Sequence, residues 1–450
     1  MATQNYWLEH AWLGRAVGVA HGVSVVVSDG RFTSVTPNTF AGQPGVETLS
    51  GLTFPGFANA HSHAFHRALR CRTHLEGGTF WTWRDVMYAV AARLDPESYF
   101  DLACGVFGEM AMAGIACVGE FHYVHHAPNG VPYANPNAMG EALVAAAKSA
   151  GIRITLLDTL YLQGGLSPTG EPMPLSPLQQ RFCDGSIDAW KQRSRAVAAA
   201  SHMHLGHAVH SVRGVAFDDL CRVGAQEFPG VMHAHVSEQP AENVACRAAY
   251  GRTPIQLLSD AGLINQRFTA VHATYLSDAD VGVLGVANGY CCMCPTTERD
   301  LADGIGRARD LHQVGSPLTL GTDSHTSIDM IEEAKLVEYH ERLATGGRGV
   351  LSPEILLAAA TENGHHCLGW SDAGSIAPGQ RADLVTMSLS SARLAGSPHN
   401  ALAAAALYGS NASDITDVIV DGRRVVCDRA HTSIDVPATL DRAITKLVTP

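Results

Sequence analysis

Lysine is scarce in this chain of 450 residues. It occurs only at positions 148, 191, 335 and 446, charged residues make up 16% of the sequence, and the formal net charge is −12. No run of clustered Lys or Arg interrupts this acidic balance. A general nucleic-acid-binding surface is therefore not expected. An anionic ligand would have to be bound by arginines close to it, because salt screens exposed charges beyond about 8 Å.

The sequence also lacks a disulfide pattern, an N-terminal leader and a membrane span. Its eleven cysteines are odd in number and follow no ladder of spacings, which favours a reducing compartment. The first ten residues contain no cationic segment, and no apolar run is long enough to cross a bilayer. We expect a cytoplasmic protein without a membrane partner.

Three cysteines lie close together, but they do not predict a metal site. Cys291, Cys292 and Cys294 fall within the apolar segment 289–295, where cysteine behaves as a small core residue. The zinc deaminase signature for nucleic-acid bases, H-x-E followed by P-C-x-x-C, is absent. We interpret these cysteines as core residues.

Length and apolar content predict one large globular core with a smaller addition. Hydrophobic residues make up 46% of the chain, which argues against disorder. From about residue 54 to 369, strand-like runs alternate with helix-like runs. Examples of the helix-like runs are 136–150, 239–261 and 330–344. This alternation predicts an α/β fold, a TIM-like (β/α)8 barrel. Its eight strands are expected at 52–60, 115–121, 152–158, 207–211, 231–235, 269–272, 290–294 and 318–321.

Hairpin signals near both ends of the chain predict a second domain. Asp-Gly stands between β-branched runs at residues 29–30 and again at 421–422, which is a strong turn signal. We expect a small β-sandwich domain built from residues 1–55 and 372–450, beside a barrel of residues 56–371. Two unrelated edge hairpins are the alternative. Within the barrel, the segment 164–177 is rich in Gly, Ser and Pro and is a candidate lid.

The predicted strands end in residues that bind metals. His61 and His63 are two positions apart, so a strand places them on one face. His235, His272 and Asp323 lie at the ends of three further strands. Active sites of such barrels form at the carboxyl ends of the strands. We therefore expect His61, His63, His235 and Asp323 to hold one ion, and His272 to bind the metal or to hydrogen-bond its water.

Imidazoles and a carboxylate around one ion, with a position open for water, form a hydrolytic centre of the zinc type. Glu238 follows His235 by three residues and is expected to act as a general acid, with a buried salt bridge as the alternative. Two-metal barrel hydrolases often use a carbamylated lysine at the end of the fourth strand. All four lysines fall instead in helix-like segments, which favours a mononuclear, deaminase-type site.

Two arginines suggest the kind of substrate. Arg84 follows the first predicted barrel strand in an aromatic loop, and Arg213 follows the fourth. Guanidinium binds carboxylate through two parallel hydrogen bonds. Two arginines at one barrel mouth therefore predict a small-molecule substrate with two carboxylates, unless both arginines form structural salt bridges.

Several motifs resemble those of known proteins. The segments 55–63, 233–238, 271–272 and 321–325 resemble the amidohydrolase superfamily of metal-dependent barrels. The segments 79–84, 120–126, 210–213 and 237–240 resemble, more narrowly, the formimidoylglutamate deiminases of bacterial histidine degradation, and the first two of these segments are the most specific. The likeness covers nearly the whole chain.

This resemblance implies hydrolysis of N-formimino-L-glutamate to N-formyl-L-glutamate and ammonia, by a homodimer with one zinc or ferrous ion per chain. It implies that Arg84 and Arg213 pair with the substrate carboxylates, helped by Tyr123 and His210. His66 stands where some members carry glutamine, so its expected contact with the substrate rests on position alone. The expected catalytic groups are three: Asp323 takes a proton from water, His272 steadies the tetrahedral centre, and Glu238 protonates the leaving nitrogen.

Three other classes remain open at this point. A deaminase or chlorohydrolase of nucleobase-like substrates usually carries Cys-Pro-x-Ser-Asn after the seventh strand, whereas this chain has Cys-Pro-Thr-Thr-Glu at residues 294–298. A two-metal amidase would need the bridging lysine. A non-catalytic scaffold would be expected to have lost ligands, and this chain keeps them.

Overall fold

The computed structural model describes residues 3–73 and 77–449. Its strands are β1 (Gln4–Trp12), β2 (Val19–Ser28), β3 (Arg31–Thr36), β4 (Glu47–Phe54), β5 (Phe57–Ser62), β6 (Ile115–His122), β7 (Arg153–Leu160), β8 (Gly165–Leu166), β9 (Pro172–Met173), β10 (Met203–Val209), β11 (Met232–Val236), β12 (Phe268–His272), β13 (Tyr290–Met293), β14 (Leu318–Leu320), β15 (Leu384–Met387), β16 (Ile415–Val420), β17 (Arg423–Cys427) and β18 (Ala430–His431).

The helices lie mainly between the strands of the central part of the chain. They are α1 (Phe80–Arg93), α2 (Pro96–Met112), α3 (Ala138–Ala150), α4 (Ile187–Arg195), α5 (Phe217–Gly224), α6 (Pro240–Tyr250), α7 (Pro254–Asp260), α8 (Asp278–Ala287), α9 (Pro295–Asp300), α10 (Ala308–Gln313), α11 (Met330–Thr345), α12 (Pro353–Ala360), α13 (Glu362–Cys367), α14 (Leu402–Gly409) and α15 (Val436–Val448).

Eight parallel strands form the barrel, in the order β5, β6, β7, β10, β11, β12, β13, β14. The barrel closes between its first and last members, where Ser62 forms a parallel bridge with Asp323. There the backbone amide of Asp323 donates to the carbonyl of His61 at 3.0 Å. The predicted barrel is confirmed, with strand ends shifted by a few residues. Closure also brings His61 and His63, at the end of the first barrel strand, next to Asp323, which follows the last one.

The first predicted strand was wrong in its extent. The apolar run 52–60 belongs to two strands, since β4 ends at Phe54 and β5 begins at Phe57. Pro55 has no amide hydrogen to continue a ladder. A side chain at Gly56 would collide with Ala116, so the chain passes here from one sheet to the other.

Two other segments also differ from expectation. The run 239–261 is not one helix, because Gly251 adopts a left-handed conformation (φ 64°) that ends α6, and Thr253 begins α7 as its N-cap. The loop 164–177 carries the small hairpin β8-β9, with Gly165 opposite Met173. Its role as a lid stays a prediction.

The strands from the two chain ends form a second sheet, in the order β18, β17, β16, β15, β4, β1, β2, β3. All its pairs are antiparallel except β1 with β4. Both predicted hairpins, β2-β3 and β16-β17, lie in it, which confirms a β domain built from both ends of the chain.

A buried ion pair joins this sheet to the barrel. Arg153, at the start of β7, donates to both carboxylate oxygens of Asp383 at 3.0 and 2.5 Å, and to Asp421 at 3.0 Å. Helix α15 lies within the range predicted for the small domain but packs against α2 of the barrel. The predicted domain boundaries therefore stay a prediction. No helix in the described part of the chain is both long and apolar enough to span a bilayer.

Candidate active site

Non-glycine residues with left-handed backbones stand at the ends of three strands of the barrel. Ser237 follows β11 (φ 50°), His272 ends β12 (φ 66°), and Asp323 follows β14 (φ 40°). Such conformations cost about 1 to 3 kcal/mol each and cluster at functional sites. Here the three left-handed residues either belong to the expected metal site or lie close to it in the sequence. The chain therefore turns sharply at the strand ends that carry this site.

The four residues expected to bind a metal lie together. The Nε2 atom of His235 is 3.2 Å from Nε2 of His61 and 3.3 Å from Nε2 of His63. The Oδ1 atom of Asp323 is 3.3 and 3.5 Å from these same atoms of His61 and His63. A tetrahedral ion with ligand distances of about 2.0 to 2.1 Å separates its ligand atoms by roughly 3.3 to 3.4 Å. These four separations are therefore those expected of donor atoms around one cation.

The hydrogen bonds on the far side of two rings also favour a cation. Nδ1 of His63 donates to the carbonyl of Phe121 at 3.0 Å, and Nδ1 of His235 donates to the carbonyl of His210 at 3.0 Å. A neutral ring protonated at Nδ1 carries a lone pair at Nε2. Two lone pairs thus face each other at 3.3 Å, an arrangement that needs a positive charge between them.

The charge states of these groups suit metal ligands. Burial lowers the pKa of His61, and it holds the pKa values of His63 and His235 well below their usual range. Burial alone would raise the pKa of Asp323, but its hydrogen bond with His61, together with smaller effects of the neighbouring histidines, holds it well below its usual range. Metal ligands must be deprotonated, and neutral imidazoles with an ionised carboxylate meet that condition.

The groups expected to move protons surround this cluster. Nε2 of His272 lies 3.8 Å from Oδ2 of Asp323 and 3.8 Å from Oε1 of Glu238. Burial would lower the pKa of His272, but the neighbouring carboxylates raise it well above its usual value. Burial raises the pKa of Glu238, which suits a residue that donates a proton near neutral pH.

A cavity of about 570 Å³ opens onto the cluster, and both arginines line it. The guanidinium of Arg84 lies 4.6 Å from the ring of Trp81 and 5.5 Å from the ring of Tyr88. Among the residues the structure describes, no carboxylate forms an ion pair with Arg84. The structural salt bridge considered as its alternative role is thus not found there, and Arg84 presents its charge to the cavity.

Arg213 differs from Arg84 because it does form ion pairs. Its Nη2 is 3.3 Å from Oε2 of Glu238, and its Nε is 3.5 Å from Oε1 of Glu242. Glu242 also accepts a hydrogen bond from the backbone amide of Glu238 at 3.2 Å. The buried salt bridge considered for Glu238 is thus present, and the same carboxylate faces the cavity next to His272; its role as a general acid stays a prediction.

The remaining predicted contacts line the same cavity. Nε2 of His66 is 3.4 Å from the hydroxyl of Tyr123, and the ring of His210 packs edge-on against Tyr161 with centroids 4.5 Å apart. His66, Tyr123 and His210 are thus placed beside the donor cluster. Their contact with a substrate stays a prediction.

Sequence reasoning missed three buried carboxylates near the site. Glu120, at the end of β6, accepts from the Ser62 hydroxyl at 2.5 Å and the Ala64 amide at 2.7 Å, and so fixes the backbone on both sides of His63. Glu242 and Glu298 are the other two. The strand-end position of Glu120 was a signal that could have identified it.

The comparisons with known proteins agree with this geometry. The model of the amidohydrolase family matches residues 52–425. A formimidoylglutamate deiminase of Pseudomonas aeruginosa is 37% identical over 421 residues, which cover 90% of this chain and 91% of that protein. The resemblance to the amidohydrolase superfamily and the narrower resemblance to formimidoylglutamate deiminases are thereby both confirmed.

Solved structures show the same architecture over essentially the whole chain. A crystal structure described as an amidohydrolase from Brucella melitensis superimposes with a TM-score of 0.89 at 28% identity, covering 99% of this chain and 100% of that one. An adenosine deaminase from Xanthomonas campestris with bound zinc has a TM-score of 0.83 at 23% identity, with 99% of each chain covered; this likeness shows the fold alone. The chain belongs to the amidohydrolase family, as an enzyme that hydrolyses C–N bonds.

Proposed function

We propose that this protein hydrolyses N-formimino-L-glutamate to N-formyl-L-glutamate and ammonia, a step of histidine degradation. The observation that carries the proposal is the position of two guanidinium groups, Arg84 and Arg213, in the same cavity as the cluster of His and Asp donor atoms. A substrate with two carboxylates and one hydrolysable C–N bond matches this combination. The similarity to the deiminase of Pseudomonas aeruginosa supports the same substrate.

We further propose that His61, His63, His235 and Asp323 hold one zinc ion, with ferrous iron as the alternative that suits the same ligands. The 3.2 to 3.5 Å separations of their donor atoms and the facing lone pairs support a single ion. Such an ion supplies a water molecule whose pKa is lowered to about 7. The four lysines all lie in helices α3, α4, α11 and α15, which supports a site without a bridging carbamate.

The protein residues then handle the protons. Asp323 accepts a proton from water at Oδ2, the carboxylate oxygen that faces His272. His272 hydrogen-bonds the oxygen that adds to the formimino carbon. Glu238 donates a proton to the terminal nitrogen, the bond between that nitrogen and the carbon breaks, and ammonia leaves. Since an amidine is largely protonated at neutral pH, Glu238 must also accept a proton earlier in the cycle, so it shuttles.

The unequal pairing of the arginines gives them different tasks. Arg84 has no carboxylate partner in the described residues and is free to bind one from the substrate through two parallel hydrogen bonds. Arg213 is already held by Glu242 and Glu238, which fixes its orientation before the substrate binds. A guanidinium has five donor hydrogens, so Arg213 can keep these partners and still bind a carboxylate.

The test is ammonia release from N-formimino-L-glutamate by protein loaded with one equivalent of zinc. N-formimino-glycine, cytosine and adenosine serve as controls, because they carry one carboxylate or none. Release confined to the dicarboxylate is the expected result. Turnover of cytosine or adenosine, with none of N-formimino-L-glutamate, would instead favour a nucleobase deaminase and would refute the proposed substrate.

A further inference from the structure

A buried carboxylate lies behind His272, on the side away from the cavity. Glu298 stands on helix α9, directly after β13, and is 1% exposed. Its Oε1 atom is 3.5 Å from Nδ1 of His272. Nδ1 is buried and forms no hydrogen bond within the described chain, so this carboxylate oxygen is placed to accept its proton after a small approach. The opposite ring nitrogen, Nε2, faces Glu238 and Asp323.

We infer that Glu298 is a positioning residue for His272: it accepts the Nδ1 proton and so turns Nε2 toward the reacting atoms. This inference rests on the proposed function for the role of His272. A carboxylate beside Nδ1 keeps a proton on that nitrogen when the ring is charged and also when the ring has given up its other proton. A carboxylate at Nδ1 therefore fixes both the ring orientation and the tautomer.

The segment that carries Glu298 is fastened at three points. Glu298 itself accepts a hydrogen bond from the amide of Cys294 at 2.8 Å. Thr296 donates its amide and hydroxyl hydrogens to Glu333 of α11 at 3.0 and 2.5 Å. The hydroxyl of Thr297 lies 3.0 Å from the hydroxyl of Ser324, next to Asp323. A carboxylate held this firmly can define the position of a neighbouring ring.

A second metal site would be a different explanation for the same residues. His272, Cys294 and Glu298 bring possible ligand atoms within 4.8 Å of one another. A thiol binds metal as the thiolate, whereas burial raises the pKa of Cys294 well above its usual value. A contact in which the ring Nδ1–H faces the carboxylate of Glu298 is therefore the better interpretation.

Matched glutamine variants test the inference. Glu298→Gln removes the charge behind His272, and we expect kcat for N-formimino-L-glutamate to fall by about 10- to 100-fold, with KM, metal content and Tm close to those of wild type. Glu333→Gln is the control, because Glu333 is equally buried and fastens the same segment without touching His272. Burial raises the pKa of Glu333 well above its usual range, so the neutral amide should leave kcat unchanged.

A second measurement does not depend on turnover. In protein labelled with 15N-histidine and loaded with zinc, the Nδ1–H resonance of His272 is assigned by its loss in His272→Asn. We expect Glu298→Ala to abolish or shift this resonance strongly and Glu333→Gln to leave it in place. An unchanged resonance in Glu298→Ala, or unchanged kcat in Glu298→Gln, would overturn the inference. Wild-type protein that releases no ammonia would refute the proposed function alone, because the resonance still decides the position of the proton.

Discussion

Replacing Arg84 should weaken catalysis far more than it weakens the fold. The guanidinium contacts the rings of Trp81 and Tyr88 at 4.6 and 5.5 Å, and its removal leaves no carboxylate of the described chain without a partner. Cation–π contacts at exposed sites contribute about 0.5 to 1 kcal/mol. Arg84→Ala should therefore lower the free energy of unfolding by only about 1 kcal/mol.

The expected effect on catalysis is larger. Hydrogen bonds to charged groups contribute about 1.5 to 3 kcal/mol, and each 1.4 kcal/mol corresponds to about a factor of ten. The kcat/KM of Arg84→Ala for N-formimino-L-glutamate should fall about tenfold to a few hundredfold. Arg84→Lys should not restore it, because an ammonium group cannot form two parallel hydrogen bonds to one carboxylate.

Arg213→Ala is the contrasting variant, since it should impair both activity and stability. Its loss leaves Glu242, which is 2% exposed, buried without its cation. Breaking a buried ion pair in this way costs about 3 to 5 kcal/mol. Urea unfolding of both variants measures the difference, and equal destabilisation would contradict the unequal pairing described above.

Substrates that lack one carboxylate make the test sharper. N-formimino-4-aminobutyrate lacks the α-carboxylate, and N-formimino-L-2-aminobutyrate lacks that of the side chain. Steady-state ammonia release should show that Arg84→Ala loses activity toward the dicarboxylate, yet equals wild type on the one analogue that lacks the carboxylate Arg84 binds. Equal losses on all three substrates, or full rescue by Arg84→Lys, would refute direct binding of a carboxylate by Arg84.

Three further predictions concern the metal, the closure of the barrel and a buried ion pair. Dialysis against a chelator should abolish ammonia release and lower Tm, and one equivalent of zinc should restore both; a requirement for two ions per chain would contradict a mononuclear site. A side chain at Gly321 would lie 2.7 Å from Cβ of His61, so Gly321→Ala should reduce the zinc bound per chain, measured by elemental analysis, whereas Gly282→Ala, which has open space around it, should bind zinc as wild type does. Burial would raise the pKa of Asp158, but Arg193, at 2.7 and 2.9 Å, lowers it overall; this stabilisation is present above the unfolded pKa of about 3.9 and is lost as the pH falls further. Asp158→Asn should therefore lower the free energy of unfolding at pH 7, by less than the about 3 to 5 kcal/mol of a fully unpaired buried charge, because Arg193 keeps its ion pair with Asp184 at 2.8 Å. In urea unfolding, the difference in this free energy between the variant and wild type should narrow below about pH 4; a difference that does not change with pH would contradict this assignment.

Positions within strands could be predicted from the sequence because they follow simple periodic rules. His61 and His63 share a face because side chains alternate along a strand, and their ring centroids are 4.8 Å apart. His235, His272 and Asp323 could be placed beside them because the carboxyl ends of parallel strands meet at one edge of a barrel. These rules required only the order of the strands, which the alternation of apolar and helical runs supplied.

Contacts between side chains from distant segments could not be predicted in this way. No local rule relates Glu298, in the segment after β13, to His272, and their proximity depends on how α9 packs against α11. The pairing of Arg213 with Glu242 likewise depends on the direction in which α6 leaves β11. The split of the run 52–60 was in principle foreseeable from Pro55, since proline interrupts a strand ladder.

The backbone at the strand ends depends both on positions within strands and on contacts between distant segments. Ser237, His272 and Asp323 hold left-handed conformations without being glycine, and backbone hydrogen bonds from other segments hold two of them in place. The amide of Tyr275 donates to the carbonyl of Ser237 at 3.1 Å, and the amide of Asp323 donates to that of His61 at 3.0 Å. The hydrophobic core thus stabilises conformations that cost about 1 to 3 kcal/mol apiece. Because that cost is met on folding, the fold itself places the donor atoms 3.2 to 3.5 Å apart, as a preorganised metal site requires.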